Sequence, residues 1–259
     1  MEIRVLGCHG SQLPGYNTTC FLVDRKILLD GGTITSVLTA EEQLNIEYVF
    51  ITHAHLDHIR DIMFLADNLS YFQRERPLVI CSTPYIIATL RYYLFNDVIW
   101  PDFSGIPSAE NPVIKFEAIS PGQVISAAGM NITAIKVNHT VETVGYLVEA
   151  GAGTVIFTGD TGPTEEIWRI ARKKRKKLQA IFMETSLPND MQYLADITGH
   201  LTPASLEQEL NKLGGLNVPI YLYHTKAHLH EVIKDEVGTL MNSNLHVLED
   251  GQTLQIGAL

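Results

Sequence analysis

The sequence is short of several things whose absence narrows its class. Only three cysteines occur in 259 residues, Cys8, Cys20 and Cys81, an odd number with no CxxC pair among them. A disulfide framework or a thiolate zinc finger is therefore not expected, and the thiols are expected to be reduced and partly buried. No uninterrupted apolar run approaches the ~20 residues that cross a bilayer as a helix. Met1 to Gly10 lacks the cationic, apolar and small-residue succession of a secretion signal, so a cytoplasmic protein without membrane association is expected. Positive charge is scarce: 19 Lys and Arg against 29 Asp and Glu leave a formal net charge of −10. That balance disfavours broad attraction to nucleic acid or to an anionic membrane. Low-complexity stretches, linker-like composition shifts and clear repeats are also missing. With 46% hydrophobic and 19% charged residues, the chain has a globular composition and can bury a sizeable core, and it reads as one domain over residues 1–259.

What is present is concentrated in Thr52-His53-Ala54-His55-Leu56-Asp57-His58, which packs three His and one Asp into six residues. The run before it, Tyr48 to Ile51, is apolar, β-branched and aromatic, and predicts a short buried strand. Ile59, Ile62, Met63, Ala66 and Leu69 then recur at spacings of three and four, predicting a helix over Asp57 to Phe72. The polar cluster thus sits on a strand-to-helix turn. In extended backbone His53 and His55 point the same way, whereas Asp57 and His58 follow the turn and can aim elsewhere. Two pairs aimed at two nearby points suggest two metal ions. Imidazole and carboxylate donors suit zinc or another first-row metal.

Further along, three residues stand at strand ends where an isolated reading stays ambiguous. His139 ends Ile135 to Val137, Asp160 follows Thr154 to Thr158 between two glycines, and His224 ends Tyr221 to Tyr223. Asp160 could as well cap the helix predicted over Pro163 to Lys177. All three nevertheless fall at carboxyl ends of strands, where sites in layered α/β folds collect. Other predicted elements are a first strand at Glu2 to Gly7 and a hairpin turning at Asp24-Arg25. Helices are predicted over Thr35 to Asn45, Pro84 to Asn96, Pro203 to Leu213 and Leu229 to Leu240. Strands and helices alternate in two halves, which suits two packed sheets with helices outside.

The order His-x-His-x-Asp-His, then His139, Asp160 and His224, resembles the metallo-β-lactamase fold superfamily over most of the chain. The resemblance implies an α/β protein built as a four-layer αββα sandwich with a dinuclear metal centre at one edge. It implies that His53, His55 and His139 hold one ion, that Asp57, His58 and His224 hold the other, and that Asp160 bridges both. True β-lactamases generally lack the bridging Asp, and flavodiiron proteins carry Glu where His55 stands, so both fit poorly.

A narrower likeness rests on His53 to Ile59 (HAHLDHI), Thr158 to Pro163, Met183 to Asn189 and Thr198 to Pro203. This series is similar to the class II 3′,5′-cyclic-nucleotide phosphodiesterases. Two positions depart from that pattern, Leu187 where Phe is usual and Ala227 where Pro is usual. The likeness implies hydrolysis of cyclic AMP, cyclic GMP or both to 5′-nucleotides, with two divalent ions, zinc first and manganese or iron as alternatives, and a homodimer. Two such ions about 3.5–4 Å apart would lower the pKa of a shared water toward ~7 and supply hydroxide for attack. Their charge would leave a positive pocket, suited to a phosphodiester, in an acidic protein.

An alkoxide leaving group needs a proton, and His200, in Gly199-His200-Leu201-Thr202-Pro203, is the expected donor or phosphate contact. A plain helix-capping role is the alternative. Asp57 is expected to accept the water's proton as well as bind metal, and Glu184 reads equally as a residue that orients His200 or a ligand and as an ordinary strand-end carboxylate. Trp100, Phe103 and Tyr16 are candidates either for stacking on a nucleobase or for ordinary packing. His9, His228, His230 and His246 have no assigned role, and His228 and His230 read as surface residues. The run Arg172 to Lys177 holds six of the nineteen basic residues and reads as the solvated end of a helix. The competing functional reading is a ribonuclease Z-like RNA-processing enzyme, which shares the metal ligands and His200. The acidic balance and the lack of a Gly-rich arm for gripping RNA count against it.

Overall fold

Two seven-stranded sheets make the framework, and the computed structural model describes residues 1–257 apart from Ala152 and Met241. The first half of the chain lays down β1 (Glu2–Gly7), β2 (Cys20–Val23), β3 (Ile27–Leu29), β4 (Tyr48–Phe50), β5 (Leu78–Ser82) and β6 (Ile114–Ala118). The second half gives β7 (Val124–Ala127), β8 (Met130–Lys136), β9 (Val144–Ala150), β10 (Gly153–Phe157), β11 (Leu178–Glu184), β12 (Ile220–Tyr223) and β13 (Leu245–Val247). The last strand, β14 (Thr253–Gln255), returns to the first sheet and pairs antiparallel with β1. The orders are β14-β1-β2-β3-β4-β5-β6 and β13-β12-β11-β10-β9-β8-β7.

The strands read as continuous apolar runs because both of their faces are covered. In β10, Val155 and Phe157 face the other sheet, while Ile156 faces the outer helices. Between the sheets lies a core that includes Ile3, Val5, Phe21, Phe50, Tyr146, Phe157 and Phe182. The Phe157 and Phe182 rings stack there at 4.2 Å between centroids. Outside the first sheet pack α1 (Ala40–Leu44), α2 (Leu56–Ile59), α3 (Ile62–Ser70) and α4 (Pro84–Tyr93), which bury Ile62, Leu65, Ile86 and Leu90 against it. Outside the second pack α5 (Glu166–Lys174), α7 (Pro203–Asn211) and α8 (His230–Thr239), with Trp168, Leu206 and Ile233 inward. A further helix, α6 (Gln192–Thr198), runs just before His200. The layers are therefore helix, sheet, sheet, helix, the expected αββα arrangement.

Three differences from the sequence reading have local causes. The helix predicted over Asp57 to Phe72 is broken into α2 and α3 at Arg60-Asp61. The Asp61 carboxylate accepts from Ile34 N (2.5 Å), Thr35 N (2.6 Å) and Thr35 Oγ1 (2.9 Å), tying the junction to the loop after β3. Those same bonds keep Thr35 out of a helix, so α1 starts later, at the Thr39 capping box closed by Glu42. The helix α6 was not expected. Its signal was Gly199, which adopts a left-handed φ of 68° as the residue that ends it.

His230 is a correction. It is buried rather than on the surface, its Nδ1 2.9 Å from Thr225 Oγ1 and its ring against His9 and Tyr16. His228 is exposed as expected. Phe103 is buried in the core under the first sheet, where Trp100 also packs, with its indole N–H on Met63 O. Tyr16 packs edge-on against His9. Phe103 is thus taken up by packing, whereas Trp100 and Tyr16 pack on one side and keep part of their surface exposed.

Candidate metal centre

The centre forms at one edge of the sandwich, where the carboxyl ends of β4, β8, β10, β11 and β12 meet. His53 to His58 follows β4, His139 follows β8, Asp160 follows β10, Glu184 closes β11, and His224 follows β12. Strand ends converge there because the parallel strands of each sheet run the same way, and each exits into a turn that frees its side chains. Gly159 has a φ of 64°, and a Cβ on it would lie 2.9 Å from Val144 O and 3.2 Å from Thr52. Glycine at that position therefore allows the turn that delivers Asp160.

Two sets of donor atoms cluster within 4.8 Å, His53 with His55, His139 and Asp160, and Asp57 with His58 and His224. His139 Nε2 faces His55 Nδ1 at 3.5 Å, and His58 Nε2 faces His224 Nε2 at 3.1 Å. Asp160 Oδ2 stands between the sets, 3.6 Å from His53 Nε2, 3.4 Å from His58 Nε2 and 3.2 Å from His224 Nε2. All seven residues singled out from the sequence are thus gathered in one place. His200 joins them, with a donor atom within 4.8 Å of those of Asp160 and His224.

The surroundings of the rings are as ordered as the rings. Asp30, buried at the end of β3, accepts from Thr52 N (2.8 Å) and Thr52 Oγ1 (2.9 Å) and lies 2.7 Å from His58 Nδ1. Thr52 Oγ1 is 3.0 Å from His53 Nδ1, and Gly199 O is 2.9 Å from His139 Nδ1. Each of these rings is held through Nδ1, which turns Nε2 toward the centre, as ligating imidazoles require. His55 is turned the other way and presents Nδ1. Asp30 went unrecognised in the sequence, although Asp30-Gly31-Gly32 closes a strand just ahead of the histidine motif.

Electrostatics distinguish the donors. Burial holds His53, His55 and His224 below the ordinary imidazole range, favouring the neutral form that coordinates metal. Burial works against a charged His58 too, but Asp160 and Asp30 outweigh it and raise its pKa. Burial likewise pulls Asp57 and Asp160 upward, and the imidazoles beside them overcome it, holding both carboxyls below the usual range. His53 Nε2 and Asp160 Oδ1 are buried with no hydrogen-bond partner among the described residues. Buried polar atoms left that way are costly, and a donor set of imidazoles and carboxylates is the kind that divalent first-row cations satisfy. The residues fit such ions.

Beside the centre, His200 Nδ1 is 2.8 Å from Glu184 Oε1, and both side chains are buried. Burial disfavours a charged His200, yet the Glu184 carboxylate prevails and its pKa is raised. The Asp57 side chain is partly open to solvent, 24% exposed.

A family model for cAMP phosphodiesterases class-II matches residues 35–233, a span that holds every one of these donors. The chain belongs to the class-II cAMP phosphodiesterase family. Among its relatives is a probable 3′,5′-cyclic-nucleotide phosphodiesterase of Yersinia pestis, 28% identical over 185 residues, covering 65% of this chain and 51% of that protein. A 3′,5′-cyclic-nucleotide phosphodiesterase of Schizosaccharomyces pombe is 26% identical over 211 residues, with 71% and 58% covered. A ribonuclease Z of Thermococcus sibiricus is 27% identical over 170 residues, with 65% and 51% covered. The aligned part of this family member thus spans little more than half the length of these relatives. Its fold is that of unliganded yeast PDE1 (TM-score 0.82, 20% identity, 97% of this chain and 98% of that one). It is also that of the metallo-β-lactamase fold protein YhfI from Bacillus subtilis (TM-score 0.78, 19% identity, 98% and 99% covered). Among the described residues no helix is long and apolar enough to cross a membrane.

Proposed function

We propose that this chain, acting as one catalytic domain, hydrolyses 3′,5′-cyclic nucleotides to 5′-nucleotides at the centre described above. The observation that carries the reading is Asp160 Oδ2 lying between two His/Asp donor sets, with the Glu184–His200 pair beside them, in a member of a phosphodiesterase family. His53, His55 and His139 would hold one divalent ion, Asp57, His58 and His224 a second, and Asp160 both, with zinc the expected metal. Ions bound there supply positive charge for a phosphoryl group and make a nearby water more acidic.

The remaining work falls to side chains. Asp57, partly open to solvent beside both donor sets, accepts the proton of the attacking water. Opening the cyclic ester to a 5′-nucleotide breaks the bond between phosphorus and the 3′ oxygen, which leaves as an alkoxide and needs a proton. His200, whose pKa is raised, donates it. Glu184 orients His200 through Nδ1 and stabilises its charged form.

The ribonuclease Z-like reading draws on the Thermococcus match. Against it, the one basic run precedes β11, at the opposite end of that strand from Glu184. Seven residues at ~3.3 Å each put about 20 Å between them. The deciding experiment incubates zinc-loaded protein separately with cyclic AMP, cyclic GMP and a tRNA precursor. A 5′-nucleotide formed from either cyclic nucleotide is the expected result. Precursor cleavage with both cyclic nucleotides intact would overturn the proposal.

A further inference from the structure

Ser186 lies in the Met183 to Asn189 segment that carries part of the family likeness, and no role above uses its hydroxyl. It is fully buried, and three side chains converge on its Oγ. Glu184 Oε2 is 2.7 Å away, His224 Nδ1 2.8 Å and His200 Nδ1 3.2 Å. A hydroxyl carries one proton, and the carboxylate can only accept, so that proton goes to Glu184. The Oγ lone pairs then face His224 Nδ1, which must be the N–H of that ring.

His224 needs this constraint more than its neighbours do. Its Nε2 lies 3.2 Å from both Asp57 Oδ2 and Asp160 Oδ2. Two carboxylates so close draw the ring proton to Nε2, the nitrogen that must carry a lone pair to bind metal. Rotation offers no escape. Gly10 lies so close that a Cβ there would come within 2.5 Å of His224 Cε1, and His224 N donates to Cys8 O at 2.6 Å. The same construction recurs across the centre, where Asp30 accepts from the Thr52 hydroxyl and Thr52 Oγ1 faces His53 Nδ1. Carboxylate, hydroxyl and imidazole follow one another in both.

We propose that Ser186 is a positioning residue that fixes the Nδ1–H tautomer of His224, leaving Nε2 free for the second ion and tying that ligand to the same Glu184 that orients His200. The inference rests on His224 being a ligand, as proposed above, but its first test requires neither metal nor turnover.

Nitrogen-15 long-range correlation spectra of histidine-labelled, metal-free protein report which ring nitrogen carries the proton, and His224→Gln identifies the His224 signals. In the wild type the proton is expected on Nδ1. In Ser186→Ala it moves largely to Nε2, and Ser186→Thr, which restores a hydroxyl, returns it. Chelator competition with zinc should then show one of two ions bound about 10–100-fold more weakly in Ser186→Ala and the other unchanged. A His224 ring with the same tautomer in wild type and Ser186→Ala overturns the inference, and so does unaltered affinity for both ions. Failure of the wild type to hydrolyse cyclic nucleotides would overturn the proposed function instead, while the spectra still decide the role of Ser186.

Discussion

His200 is the residue whose role is most sharply testable, because its two readings separate metal binding from proton transfer. As a proton donor oriented by Glu184, its replacement in His200→Ala should leave two zinc ions per chain by elemental analysis. Turnover should fall by about 10²–10⁴-fold, the usual contribution of a general acid. Loss of an ion in that variant would make His200 a ligand, which its nearness to Asp160 and His224 allows geometrically. Asp30 makes a complementary case, since it touches no donor atom at the centre of the cluster. Asp30→Ala leaves the Thr52 N–H without its acceptor and releases His58 Nδ1. Unfolding in urea should show a loss of about 2–3 kcal/mol, and zinc affinity should drop about 10–100-fold.

Among the elements, the junction between α2 and α3 decides where Asp57 and His58 stand. Both lie in the short helix α2, just before the break, and a continuous helix would carry that turn straight on past Arg60. Instead Asp61 N donates to Gly31 O (3.0 Å) and Gly31 N to His58 O (2.6 Å), locking the break against the loop after β3. Asp61→Ala removes three acceptor contacts from a nearly buried carboxylate, leaving the amides of Ile34 and Thr35 to find water. A stability loss of about 2 kcal/mol is expected by denaturant titration. Zinc bound at Asp57 and His58 should weaken with it, while the ion at His53, His55 and His139 holds. Apolar spacing alone pointed to one helix here because periodicity registers which residues face the core. It does not register a carboxylate captured by a distant loop.

At the scale of the whole molecule, the donors come from both sheets, so metal occupancy and global stability are linked. Ions that bind only the folded chain stabilise it by mass action, about 2.7 kcal/mol for free metal at a hundred times the dissociation constant. Thermal unfolding with excess zinc should therefore occur at a higher temperature than in a chelator, and Asp160→Asn, which removes the shared charge, should shrink that difference. The intersheet core sets the other limit. Phe182→Ala, at the stack with Phe157, should cost about 3–5 kcal/mol by the same denaturant measurement.

The sequence by itself determined the main strand ends, the alternation of strands and helices, and the His53 to His58 cluster, and it singled out His139, Asp160 and His224 as strand-end candidates. Those properties are written in short-range pattern: apolar runs closed by glycine or histidine, and an uncommon density of imidazoles between His53 and His58. Family likeness extended them to the αββα layers and to cyclic nucleotides. Only the tertiary structure decided what holds each donor. Asp30 reaches His58 across 28 positions, Glu184 reaches His200 across 16, and Ser186 reaches His224 across 38. Hydrogen bonds of that reach depend on which loops the two sheets bring together, and no local pattern encodes them.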